Sequence, residues 1–496
     1  MLTPRQLAAR LARLALHLLV TAACWLSATA SAEEAPSNVS PMDTVDLMQV
    51  YYSAKENDPV LGQATAGYAA AQQLVPQTRS ALLPNIGAGA SSSWNERSFP
   101  LPAFQDTDPT SPSFGQFIDI PDQDFNEHGW QAQLSQPIFD LPNWYTYTSS
   151  KATVDAAEWQ LAGTEQALIL RVVQAYLDVL RIQDLLDSTV AEEAAVHRQL
   201  EQVQQRFDVG LVAITDVLES QAVFDNAVVE RIQAAGDHDI FFETLRTLTG
   251  VPYDSLGALS DMLPVVDPEP EIEEEWVQTA LSTNFGIRAA ESQLTAANRT
   301  VRARRSGHLP TIDATVSQNH FVSGGQTVFS GGGIKSDTTV YGVQLNMPVF
   351  TGGFTRARTK EATALADQSK EALLEQQLAV ARDARNLFRS VATSVVRVGA
   401  RLKAIKSTQS ALDATQTGYE VGTRNIVDVL RAQQVLYRSQ FDYADSRYNY
   451  VTALMALKQV TGVLNEQDLI ELNTFIDTSQ SVNRILDASL RMVPTN

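Results

Sequence analysis

Phe207-Asp208-Val209-Gly210-Leu211-Val212-Ala213-Ile214-Thr215-Asp216-Val217-Leu218 returns 212 positions later as Tyr419-Glu420-Val421-Gly422-Thr423-Arg424-Asn425-Ile426-Val427-Asp428-Val429-Leu430. Gln221 and Val223 match Gln433 and Val435 at the same spacing. Upstream, Gln133-Leu134-Ser135-Gln136-Pro137-Ile138-Phe139 matches Gln344-Leu345-Asn346-Met347-Pro348-Val349-Phe350 at an offset of 211, and Leu83-Pro84-Asn85-Ile86 matches Leu309-Pro310-Thr311-Ile312 at 226. Three blocks in one order imply two copies of a single structural unit. The change of offset places an insertion between the first two blocks, in a loop.

Each copy reads as helix, strand, loop, strand, long helix, turn, helix. No proline interrupts Pro142 to Pro252 or Pro348 to Pro494, and both stretches are rich in strong helix formers. Ile169, Val172, Val173, Tyr176 and Leu180 recur at helical spacing and form one apolar stripe. Tyr145 to Phe207 as one helix would run about 95 Å, far beyond ordinary globular length, and suggests a coiled-coil-like assembly. Gly210 and Gly422, each after a valine, fit glycines that end a helix before a reversal. Each copy therefore ends in a helical hairpin tipped by one of these turns.

The strand candidates alternate. Trp130, Ala132 and Leu134 alternate with polar residues, as do Tyr341, Val343, Leu345 and Met347, and Ile312, Ala314 and Val316. Ile86 to Trp94 is a weaker match, mostly Gly, Ala and Ser. Alternation over about ten residues suits a membrane barrel, and equally an ordinary two-sided sheet. Four strands per chain cannot close a membrane barrel, which needs about eight or more, so a barrel must be shared. Two chains would supply eight strands and three would supply twelve. Arg97 to Glu127 and Ser323 to Asp337 read as the outward loops of such a barrel.

The beginning of the chain fits a secretory leader over 1–32. Arg5, Arg10 and Arg13 precede an apolar run from Leu14 to Leu26, with Ala30-Ser31-Ala32 as the cleavage pattern. Cys24, the single cysteine, lies inside it; Thr21-Ala22-Ala23 before it matches a lipoprotein signal poorly. After cleavage no disulfide is expected. No later stretch reaches the roughly 18 to 20 apolar residues of a spanning helix. The formal net charge of −20 argues against nucleic acid and against electrostatic attraction to anionic membranes.

The sequence resembles the TolC family of trimeric outer-membrane exit ducts. The likeness rests on Asp46-Leu47-Met48-Gln49-Val50-Tyr51, Leu82-Leu83-Pro84, Gln136 to Asp140, Arg198 to Gln202, Gln205 to Val217, Gly307 to Thr311, Tyr419 to Leu430 and Leu464 to Leu469. These runs span nearly the whole chain from about Val45 to Asn473. The resemblance implies a mainly helical fold with β: per chain, four strands of a shared twelve-strand outer-membrane barrel, and long helices forming a periplasmic α-barrel. It implies a homotrimer that works with a periplasmic adaptor (a membrane fusion protein) and an inner-membrane transporter of RND, ABC or MFS type. Drugs or secreted proteins would pass through passively. The segments expected are a leader over 1–32, a first repeat over 33–262, a second over 263–462, and a C-terminal equatorial segment with tail over 463–496.

The resemblance also marks residues. In the family, links between hairpins hold the periplasmic mouth shut; the matching positions are Thr215, Asp216, Tyr419 and Arg424. Arg424 offers several donors to a carboxylate or carbonyl, and Tyr419 offers one hydroxyl to Asp216. An acid at Asp216 or Asp428 also suits the positive end of a helix. Asp428 matches a carboxylate ring at the pore constriction. Two departures stand out: Arg431 replaces a second acidic ring, which implies weaker cation preference, and Gln416 replaces a linking acid. Asp237-His238-Asp239 reads as an exposed helical face, because neighbours on a helix diverge. No phosphate loop, zinc spacing or nucleophile elbow is present, so no cofactor, metal or enzymatic activity is expected. A soluble periplasmic coiled-coil adaptor or scaffold is the competing class; it explains the helices and acidity but leaves the twice-written strands unexplained.

Overall fold

The computed structural model describes residues 44–98, 104–118, 122–324 and 333–484. The expected leader over 1–32, with Cys24, and the end of the tail lie outside the described residues, as do parts of both outward loops. From Thr44 onward the described residues form one compact unit.

The chain opens with three short helices, α1 (Leu47–Asn57), α2 (Pro59–Gln72) and α3 (Leu74–Ser80), followed by β1 (Asn85–Arg97). A small hairpin, β2 (Phe104–Gln105) and β3 (Phe117–Ile118), precedes β4 (Gln123–Phe139). Then come α4 (Leu141–Asp208), α5 (Ile214–Thr249), β5 (Ser255–Leu259), α6 (Glu273–Thr283) and α7 (Phe285–Ser306). The remainder is β6 (Thr311–Ser323), β7 (Ile334–Asn346), α8 (Phe354–Glu420), α9 (Ile426–Val460), α10 (Glu466–Asn473) and β8 (Ile476–Asn483).

The long helices begin where the sequence stops extended structure. Asp140 caps α4 by accepting from the Asn143 amide at 2.9 Å, and Pro142 fills the first turn, where its missing N–H costs nothing. α4 then runs unbroken for 68 residues and α8 for 67, each about 100 Å. The stripe Ile169, Val172, Val173, Tyr176 and Leu180 is buried throughout. It belongs to the largest apolar core, which gathers α1, the middle of α4, α5, α9, α10 and the β5–β8 pair. Polar anchors fix this girdle. Tyr176 donates to the Gly257 carbonyl at 2.7 Å, and Arg171 grips Asp58, the cap of α2, at 2.6 and 3.2 Å. Arg447 and Lys458 pair with Asp261 and Asp468, each at 2.6 Å.

The four strand candidates form one antiparallel sheet in the order β1-β4-β6-β7. Its register aligns Ile86, Leu134, Val316 and Tyr341 across one face, and Gly87, Gln133, Ser317 and Val340 across the other. Among the described residues no protein layer covers the apolar face: Ile86 is 74% exposed and Tyr341 78%. Among the described residues no helix is long and apolar enough to cross a membrane.

Candidate functional site

The hairpin tips stand at the ends of α4 and α8 remote from the sheet. Both turns are built alike. Gly210 donates to the Phe207 carbonyl at 2.8 Å and Leu211 to Arg206 at 2.9 Å; Gly422 donates to Tyr419 at 3.1 Å and Thr423 to Gly418 at 2.8 Å. Gly210 and Gly422 have φ of +79° and +76°, the left-handed region where a side chain is strained. Behind the turns the two hairpins share one apolar core, with Val203, Val217, Leu412, Ile426, Val429 and Leu430 at its centre. The tips within one protomer are therefore packed as a pair.

The polar residues singled out from the sequence lie on this core's rim. Thr215 and Asp216 open α5, with the Thr215 hydroxyl 3.4 Å from an Asp216 oxygen. Asn425 caps α9 by accepting from the Asp428 amide at 2.8 Å, which holds Asp428 in the first turn. Arg424 Nη1 approaches Asp428 Oδ2 at 3.8 Å, a loose pair one turn apart on an exposed surface. Such a pair contributes well under about 1 kcal/mol. Arg431 is exposed and pairs with no acid among the described residues.

Tyr419 behaves differently. Its hydroxyl is enclosed and has no hydrogen-bond partner among the described residues, so within the protomer the bond to Asp216 is not formed. Its ring instead lies under the Arg206 guanidinium, 4.9 Å away. A cleft of about 420 Å³ beside this pair separates the ends of α4 and α8. Gln199, Gln202, Gln205 and Gln416 line it, so amides occupy most of its polar wall.

Sequence reasoning missed Arg206 and Gly418. The Gly418 carbonyl takes Thr423 N, Arg424 N and Thr423 Oγ1 at 2.8, 3.2 and 3.0 Å. A signal existed: at the repeat's spacing Gly418 stands where the first copy has Arg206. The reading of Asp237-His238-Asp239 as an exposed face also needs correction, because His238 is fully buried. The inward stripe of α5 runs through Ala234, His238, Phe242 and Leu245, and helical spacing carries the histidine into the packed seam. Burial holds the imidazole below its ordinary pKa, with Asp239 opposing and Arg484 adding to the shift. Among the described residues no group of three potential ligands could hold a metal.

A strand sheet with an uncovered apolar face, carried on helices of 68 and 67 residues, has the architecture of a membrane channel protein that reaches far beyond the bilayer. Residues 50–251 and 276–463 match the family model described as outer membrane efflux protein, and the chain belongs to that family. It is 34% identical over 428 residues to outer membrane protein TolC of Vibrio cholerae, covering 86% of this chain and 93% of that one. It is 27% identical over 427 residues to the alkaline protease secretion protein AprF of Pseudomonas aeruginosa, covering 85% of each. The fold matches the Campylobacter jejuni CmeC outer membrane channel with a TM-score of 0.69 at 17% identity, over 87% of this chain and 90% of that one. The protein is an outer-membrane exit duct that extends into the periplasm.

Proposed function

We propose that three copies assemble into one duct that passively conducts drugs or secreted proteins from an inner-membrane transporter to the exterior. The carrying observation is the sheet: four strands, an uncovered apolar face, and open edges at β1 and β7, each 13 residues long. Open edges of that length demand partners, and four strands are too few to close. Three copies supply twelve strands. The two long helical hairpins of each chain then continue the wall across the periplasm. The segments 33–262 and 263–462 act as two copies of one unit in this reading, in keeping with α4 and α8 of 68 and 67 residues and α5 and α9 of 36 and 35. Residues 463–496 complete the girdle and tail.

The partners in this reading are a periplasmic adaptor and a transporter of RND, ABC or MFS type. Val209, Leu211, Ile214, Leu218 and Val421 leave apolar surface exposed at the tips, where such a partner would meet them.

The gate lies at the tips. Thr215, Asp216 and Arg424 are accessible at its rim and link neighbouring hairpins; Tyr419 contributes through its ring, since its hydroxyl is enclosed. Asp428 forms the constriction ring, with Arg431 offsetting its charge one turn on. Gly210 and Gly422 set the turns. Each link is weak, and its threefold repetition holds a mouth that still opens. Single-channel conductance of the purified mature protein in a planar bilayer, wild type beside Arg424→Ala, tests this. A small wild-type conductance that rises severalfold in the variant is expected; no conductance from a folded trimer of either form overturns the reading.

A further inference from the structure

We propose that the junction between strands and helices forms a cationic collar that binds the headgroups of anionic phospholipids in the inner leaflet of the outer membrane. This rests on the duct reading, which places the bare sheet face in the bilayer. The chain's net charge of −20 conceals a local segregation. Four segments adjoin the strands: 74–84, 141–154, 292–312 and 345–360. They hold no aspartate or glutamate.

Their bases come from every element that enters or leaves the sheet on this side. Arg79 ends α3 and Lys151 lies early in α4. The last turns of α7 carry Arg299, Arg302, Arg304 and Arg305. The first turns of α8 carry Arg356, Arg358 and Lys360. All lie within about three turns, roughly 15 Å, of the strand-side end of their helix. All are exposed except Arg299, which is half-buried.

None of these bases makes an ion pair among the described residues; unpaired bases such as Lys403 and Arg438 occur elsewhere, but there paired ones such as Arg171, Arg231, Arg389 and Arg447 stand among them. The nearest acids in sequence are Asp140, spent on capping α4, Glu291, which pairs with Arg288 at 3.6 Å, and Asp155, Asp313 and Glu361. Asp313 sits opposite Pro137 and Gln344, on the polar face of the sheet.

The collar's height matches a headgroup layer. Directly on its membrane side lie exposed Phe139, Trp144, Val349, Phe350 and Phe354, the amphipathic and aromatic belt of a membrane–water boundary. Lys151 stands 4.6 Å from the Tyr147 ring and Arg358 5.0 Å from the Phe354 ring, so aromatic groups steer cations where a phosphate would sit. Unpaired cations beside an apolar belt fit an anionic lipid better than a zwitterionic one.

The test uses the full mature trimer reconstituted in phosphatidylethanolamine bilayers containing a minor share of phosphatidylglycerol, with lipid retained after purification counted by mass spectrometry. Wild type is expected to enrich phosphatidylglycerol about threefold or more over its bulk share. Arg302→Gln/Arg305→Gln/Arg356→Gln is expected to fall to the bulk share. Lys403→Gln/Lys406→Gln/Arg438→Gln, the same charge change on distant exposed helix surface, is expected to keep the enrichment. Trimer retention on a native gel checks folding of each variant. Wild-type retention at the bulk share, or equal loss in both variants, overturns the collar and leaves the duct intact. A wild-type trimer that does not enter bilayers overturns the duct reading and the collar with it.

Discussion

The guanidinium of Arg206 lies over the ring of Tyr419, 4.9 Å from its centroid, and joins the far end of α4 to the far end of α8. The Tyr419 hydroxyl has no partner among the described residues, so the ring carries the contact. A cation over an aromatic face contributes about 0.5–1 kcal/mol at an exposed site. Tyr419→Phe is therefore expected to leave the resting single-channel conductance unchanged, while Tyr419→Ala and Arg206→Ala raise it. A conductance increase in Tyr419→Phe equal to that in Tyr419→Ala would place the latch in the hydroxyl instead.

Gly418 offers a way to dislodge Arg424 without touching it. A Cβ at Gly418 would stand 2.8 Å from Arg424 Cγ and 3.3 Å from Thr423 Oγ1. The arginine stem is flexible and yields, so Gly418→Ala is expected to mimic Arg424→Ala in conductance with little change in melting temperature. Gly210→Ala and Gly422→Ala should act otherwise. Nothing lies within 4 Å of either added Cβ, but φ is positive at both. These changes are expected to cost about 1–2 kcal/mol each in thermal unfolding. A melt of Gly422→Ala matching wild type would show that the turn tolerates a side chain.

The sheet and the long helices were legible because each rests on local chemistry: alternation at period two, proline-free helix formers, Asp140 before Pro142. The turns at Gly210 and Gly422 were legible because a helix reversal needs a left-handed residue. The pairing across the tips was not. Arg206 and Tyr419 are far apart in sequence, and only packing of the two hairpins brings them together. His238 shows the same limit: the divergence of helix neighbours argued against a metal site but did not say which of the three turns inward, and the i, i+4 seam of α5 decided its burial. The strand-side bases were visible singly, yet their clustering appears only once the four helix ends are gathered around the sheet.

Arg431 tests the proposed constriction ring at Asp428. Asp428 leans toward Arg424, 3.8 Å away, and Arg431 pairs with no acid among the described residues. In a trimer three free guanidiniums then oppose three carboxylates within one turn. Arg431→Asp would replace them with a second acidic ring. The cation-over-anion permeability ratio, read from reversal potentials in a salt gradient, is expected to rise by about twofold or more, with stronger block by trivalent cations. An unchanged ratio would mean that Arg431 points away from the pore.

Glu192 gives the helical wall a pH dependence. It lies on α4, only 7% exposed, with no hydrogen-bond partner among the described residues, while its neighbour Glu193 pairs with Arg231 of α5. Burial first, and the nearby Glu230 second, raise the Glu192 pKa from 4.5 to about 7. The folded chain therefore holds a proton that the unfolded chain releases above about 4.5. Stability falls as pH rises from there to about 7, and above 7 the full cost of a buried carboxylate remains. A shift of this size corresponds to at most about 3 kcal/mol per chain, and solvent screening at the wall lowers it. Glu192→Gln keeps the shape and removes the charge. It is expected to match wild type in thermal unfolding at pH 5 and to exceed it at pH 8. Equal melting temperatures at pH 8 would show that the carboxylate finds a donor in the assembled duct, and would sink the pH dependence assigned to Glu192.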